Sequence, residues 1–193
     1  MPHDKNRASW LRLDNVTKPA PKIAAMWEES QKRLGYVREF LKMPFEPDRL
    51  ALFQGYVNRL MRSDDCKLSG RERELIALVV SLENRCEACI ITHAGALEAH
   101  GMDKRNADVL LANWRRANLS DRERALAEFA TNLTLHCDMA SEDDLDALRE
   151  AGVREEEILE AVQIVAIFNA TNRLNAGLGI KVDDGAHDAL RKA

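Results

Sequence analysis

The chain has 193 residues, 46% of them hydrophobic and 31% charged, with a formal net charge of −4. That length makes one ordinary domain with a substantial core, and the mildly acidic balance gives no reason to expect nucleic acid or an anionic membrane as a partner. No apolar run approaches the roughly 18 residues of a membrane span, and the opening MPHDKNRASW lacks a signal-peptide apolar core, so the expectation is a cytoplasmic protein in which a close cysteine pair serves catalysis or metal binding more often than stapling.

All five prolines fall in the first quarter of the chain. The remaining three quarters show little strand-like alternation, which predicts an all-α fold of about seven or eight helices. Residues 1–20 read as an extended arm, with Trp10, Leu11 and Leu13 strapped over a groove. Residues 21–180 read as one helical domain and residues 181–193 as a tail. A first helix is expected from Pro21 to Gly35, with Met26, Trp27 and Leu34 on its inner side. A short turn over 37–43 leads through Pro44 and Pro47 into a second helix, roughly Asp48 to Arg62.

Ser69 and Glu72 form a capping box, opening a helix that carries Leu75, Ile76, Ala77, Leu78, Val79, Val80 and Leu82, apolar nearly all round. Such a helix belongs at the centre of the core, and Glu74 at its front needs a buried partner. Ser120 and Glu123 form a second capping box, and both stretches read L-S-x-R-E-R. This is a faint duplication of a helical hairpin. Where the first copy has Glu74 and Cys89, the second has Ala125 and Ala140. Between the boxes, a cysteine helix is expected from about Arg85 to His100, and another over 104–117 with Val109, Leu110 and Trp114 inward. Ser141 caps a short helix ending at Gly152, and Arg154 begins the last long one, whose apolar face is interrupted by Asn169, Asn172 and Arg173. Beside so much apolar surface, that interruption predicts a homo-oligomer.

On a helix, Cys86, Cys89 and His93 lie within about 60° of one another around the axis. Two thiols at that spacing can close a disulfide, and a thiol and an imidazole one turn apart can share a proton. In one straight helix, Glu74 would lie about 18 Å from Cys86. A turn at Asn84-Arg85 instead folds the two helices antiparallel, and equal counting outward sets Glu74 opposite residues 93–96, with His93 as its polar partner. Zinc on Cys86, Cys89 and His93, with His100 or His136 as fourth ligand, is disfavoured: three ligands strung along one helix converge poorly on a tetrahedral ion. Haem attachment would need histidine where Ile90 stands. Cys66 and Cys137 are isolated and read as small buried or half-buried hydrophobes. His3, His100, His136 and His187 read as solvated or packed without chemistry.

The pattern E-x11-C-x2-C-x3-H on Glu74, Cys86, Cys89 and His93 resembles the AhpD-like branch of the carboxymuconolactone decarboxylase superfamily. The stretches 68–81, 148–152 and 168–179 resemble its peroxidase-related members. The resemblance implies a helical bundle around an antiparallel hairpin, oligomerisation, and reduction of hydroperoxides by the thiol pair, without cofactor or metal. An external thiol or dithiol would restore the pair. It also implies that Cys89 attacks, Cys86 resolves, and Glu74 and His93 relay protons. Relatives with histidine or tyrosine between the cysteines differ from this chain, which has Glu87-Ala88, and an acidic neighbour disfavours thiolate. Decarboxylation, the superfamily's other activity, does not require the thiols. From the residues themselves two arguments oppose each other. The helix dipole favours thiolate on Cys86, whereas the imidazolium of His93 favours Cys89. A charge-assisted bond outweighs the dipole's contribution of at most about 1 kcal/mol. The other functions weighed are a disulfide reductase for a protein or lipoyl partner, and a scaffold without catalysis or with zinc.

Overall fold

The computed structural model describes residues 8–186, leaving His3, His187, arm residues 1–7 and tail residues 187–193 outside the described set. The fold is all-α, and among the described residues no strand occurs. The α-helices are α1 (Pro21–Leu34), α2 (Pro47–Arg62), α3 (Gly70–Glu83), α4 (Glu87–Ala99), α5 (Lys104–Asn113), α6 (Asp121–Leu135), α7 (Glu142–Glu150) and α8 (Glu155–Leu178), with short 3₁₀ turns at Glu39–Lys42, Trp114–Arg116 and Cys137–Met139.

Helix α3 sits at the centre because no face of it can meet water. Every residue from Leu75 to Ser81 is buried, and α4, α6 and α8 pack around it. Truncating one of its leucines to alanine costs about 2–5 kcal/mol. A smaller cluster of Ile23, Phe40, Leu41 and Leu50 joins α1 to α2. The Trp27 indole donates to Leu41 O at 3.0 Å, closing that corner.

Both capping boxes form as the sequence predicts, and they are also cross-linked. Arg71 Nε donates to Glu123 at 2.6 Å and Arg122 Nε donates to Glu72 at the same distance. Arg71 also donates to Gly101 O and Arg122 to Gly152 O. Each glutamate therefore caps its own helix and holds the arginine of the other copy. The duplication is thus a pseudo-symmetric pairing of first turns, in which charge complementarity reinforces apolar packing.

Several sequence expectations need correction. The helix expected over 104–117 stops at Asn113, whose side chain accepts from Arg115 N and starts the 3₁₀ turn. Within α5 the inner face is Ala107 and Leu110, so Val109 faces outward at 37% exposure, while Trp114 beyond the helix end is buried. Cys137 is exposed rather than buried, because the 3₁₀ turn after α6 lifts it off the core. Ala8 O accepts from Lys181 N and Trp10 N donates to Leu178 O. Trp10 lies so close over Gly179 that any Cβ there would collide with the indole, and the same glycine ends α8 in the left-handed conformation.

Candidate active site

The α3–α4 turn is where the chain reverses, and its details differ from a simple asparagine hinge. Asn84 ends α3 in right-handed geometry, and Arg85 takes the left-handed conformation at φ 53°. The strain at Arg85, on the order of 1 kcal/mol, is held because Asn84 cannot rotate. Its side-chain amide donates to Asn169 Oδ1 at 3.0 Å and Asn172 Oδ1 at 3.1 Å. Asn172 in turn donates to Ser81 Oγ, which donates to Ala77 O. The asparagines that interrupt the apolar face of α8 are thus engaged within the chain, so they supply no argument for a subunit interface.

Because Arg85 turns, α4 begins at Glu87 and Cys86 becomes its N-cap in extended geometry. The expectation of a helix from Arg85 is corrected accordingly. Cys89 lies in the first turn. The two sulfurs are 2.9 Å apart, both thiols are free, and both residues are buried, at 3% and 6% exposure. Asn175 Nδ2 donates to Cys89 Sγ at 3.3 Å. This residue was missed as a site candidate, although Asn169, Asn172 and Asn175 recur every three residues, a spacing that keeps one helix face turned to one neighbour.

Glu74 Oε2 lies 2.7 Å from His93 Nδ1. The ring of His93 stands edge-on to Phe168 with centroids 4.6 Å apart, which fixes its plane. Burial pushes the Glu74 carboxyl upward, but the charge and hydrogen bond of His93 outweigh it and hold the group below its ordinary value. Among the described residues no hydrogen bond joins His93 to Cys89, so any proton passing between them needs a bridging molecule. Cys89, His93 and Glu74 share one wall of a cavity of about 970 Å³, which Cys86 does not line.

The two thiols titrate as a unit. A hydrogen bond from Cys89 lowers the Cys86 thiol to about 7, against the effect of burial and the Glu87 charge. Cys89 is pushed up by its hydrogen bond to Cys86, by burial and by the Cys86 charge, with the amides of Asn172 and Asn175 pulling the other way. The pair therefore loses one proton readily and holds the second firmly. Among the described residues, no group of three or more histidine, cysteine, aspartate or glutamate side chains is arranged to hold a metal ion. No described helix is long and apolar enough to cross a membrane.

The family model of the carboxymuconolactone decarboxylase family matches residues 47–114 and again 106–181, one match on each copy of the repeat. Among solved structures, a peroxidase-related protein from Silicibacter sp. TM1040 is 29% identical, with a TM-score of 0.88 over 95% of this chain and 96% of that one. A second, from Ralstonia eutropha JMP134 and described as an alkylhydroperoxidase AhpD core, is 27% identical, with a TM-score of 0.78 over 90% and 95% of the two chains. The debrominase Bmp8, solved with 2,3,4-tribromopyrrole, shares the fold at 18% identity and a TM-score of 0.77, covering 95% of this chain and 98% of its own. No curated protein matches.

Proposed function

The chain belongs to the carboxymuconolactone decarboxylase family, and from that premise we propose that it is a thiol-dependent peroxidase of the AhpD-like kind. The observation that carries this reading is that Cys89 alone of the pair lines the cavity, with Cys86 2.9 Å behind it and His93–Glu74 on the same wall.

Once ionised, the pair holds its anion on Cys86, the lowered thiol. With substrate in the cavity the remaining proton passes across the 2.9 Å contact from Cys89 to Cys86, and the Asn175 amide stabilises the anion this leaves on Cys89. The Cys89 thiolate attacks the terminal oxygen of a hydroperoxide. The S–O bond forms as the O–O bond breaks, and the departing alkoxide is protonated from His93 Nε2, which carries the proton the thiol pair gave up. Nδ1 is held by Glu74, leaving Nε2 for the substrate. The resulting Cys89 sulfenic acid is attacked by Cys86, giving a disulfide and water. Two thiols and one hydroperoxide thus yield a disulfide, an alcohol and water, and an external thiol or dithiol restores the pair. A disulfide reductase would use the same two sulfurs, but their burial favours a small substrate over a protein disulfide.

The test is to treat the Cys86→Ser variant with one equivalent of hydroperoxide and locate the oxidised sulfur by mass spectrometry after dimedone trapping. A sulfenic acid on Cys89 is expected. Oxidation on Cys86 in a Cys89→Ser variant would reverse the assignment, and no consumption by the wild-type dithiol would dismiss peroxidase activity.

A further inference from the structure

The cavity in front of Cys89 carries more positive charge than the peroxide chemistry needs. Arg33 from α1, Arg38 from the following turn, Arg62 at the end of α2 and Arg73 on α3 all line it. None of the four forms an ion pair with a carboxylate among the described residues, whereas arginines elsewhere, such as Arg71, Arg122 and Arg149, do. Arg38 is the most constrained. One of its Nη atoms donates to Gln54 Oε1 at 2.7 Å, while its Nε is enclosed with no acceptor among the described residues. A buried cationic donor without an acceptor is costly and calls for one.

The charges also act on one another. Burial, then the charges of Arg33 and Arg38, lower Arg62 to about 10. Burial first and then Arg33 lower Arg38, with Asp183 and Cys89 opposing. The carboxylates on the wall are Glu74, Glu98 and Asp183. Glu74 is already committed to His93, and Asp183 accepts the Glu39 N–H at 2.6 Å. Phe40, Phe53, Val57, Met61 and Phe168 give the wall an apolar stretch, beside polar side chains such as Gln54, Thr92, Thr171 and Asn175.

We propose that the cavity selects a substrate bearing a carboxylate on an apolar body, the carboxylate seated on Arg38 with Arg62 and Arg33 around it. Planar guanidinium groups match a carboxylate in geometry as well as in charge, and the aromatic and aliphatic wall takes the hydrocarbon. This inference deepens the peroxidase reading, on which it rests for the chemistry at the other end of the molecule: the substrate is a hydroperoxide of an apolar carboxylic acid.

The experiment separates binding from chemistry. Octanoate and 1-octanol are titrated by calorimetry into the reduced full-length protein and its Cys89→Ser, Arg38→Met and Arg62→Met variants. Octanoate is expected to bind wild type and Cys89→Ser about tenfold or more tightly than octanol. Arg38→Met should bring octanoate to the octanol level, and Arg62→Met should narrow the gap. Should Arg38→Met fail to fold by circular dichroism, the wild-type preference and the Arg62→Met result decide. Equal binding of acid and alcohol by the wild type overturns the proposal, even if Cys89 reduces neutral hydroperoxides. Octanoate preference in a protein that no hydroperoxide oxidises upholds the anion site and removes the peroxidase reading alone.

Discussion

The two copies of L-S-x-R-E-R share a frame and differ in what that frame carries. Ser69, Arg71, Glu72 and Gly101 in the first correspond in place and contact to Ser120, Arg122, Glu123 and Gly152 in the second. The serines cap, the glutamates cap back, the arginines cross over, and both glycines turn the chain at positive φ. At the chemistry-bearing positions the copies part. Glu74, Cys86, Cys89 and His93 stand where the second copy has Ala125, Cys137, Ala140 and Asp144. Cys137 keeps the N-terminal thiol position but is exposed, with no second thiol one turn on. What both copies retain builds the fold, and what only one retains marks the site. The two sets are separable by mutation.

The largest separation is expected at Cys89. Cys89→Ser should lower peroxide consumption at least about a thousandfold, while its unfolding midpoint in urea stays close to wild type. A variant that loses activity only in step with its folded fraction would make the thiol structural.

Glu74→Gln should slow thiol oxidation by about 10- to 100-fold, since the imidazole loses its orienting anion. Rapid mixing reads that rate, and urea unfolding across pH adds a second signature. The folded Glu74 carboxyl lies below its ordinary value of 4.5, so its contribution to stability is complete above about that pH and is lost as pH falls through the depressed value. The wild type should show that acid-side loss and Glu74→Gln should not. An unchanged acid-side loss in the variant would mean that the Glu74–His93 pair does not stabilise the fold, and an unchanged oxidation rate would remove Glu74 from the relay.

In the shared frame the effects are on stability. Arg122 bridges two carboxylates, Glu72 and the buried Glu157, whereas among the described residues Arg71 pairs with one, Glu123. Arg122→Ala should therefore cost about 2 kcal/mol and Arg71→Ala about 1 kcal/mol, read from denaturant unfolding. Burial pushes Glu157 up, but hydrogen bonds from Arg154 and Arg122 bring it down to about 2 from 4.5. Its stabilisation is present above pH 4.5 and disappears as pH falls towards 2, so Arg122→Ala should flatten the wild-type loss in acid. Equal costs for the two arginines would mean that Glu157 contributes little to the crossing.

Smallest of all, Cys137→Ser should change stability by less than about 0.5 kcal/mol and leave peroxide kinetics untouched. A change in turnover would mean that the second copy takes part in the chemistry.

Sequence alone was enough for the helical class, both capping boxes, the burial of α3 and the pairing of Glu74 with His93 across a reversal. These follow from local rules, namely side-chain period, cap chemistry and equal counting about a turn. Tertiary structure decided the rest. Arg85, not Asn84, takes the left-handed conformation because Asn84 is bound to two asparagines of α8, more than eighty residues away in sequence. That shift makes Cys86 a cap instead of a helical residue. It also leaves Cys89 as the sulfur on the cavity, with Asn175 as its donor. The arginines around that cavity come from α1, α2, α3 and a connecting turn, and read singly they are ordinary surface residues. No local pattern encodes their convergence, because it depends on how four segments pack against one another.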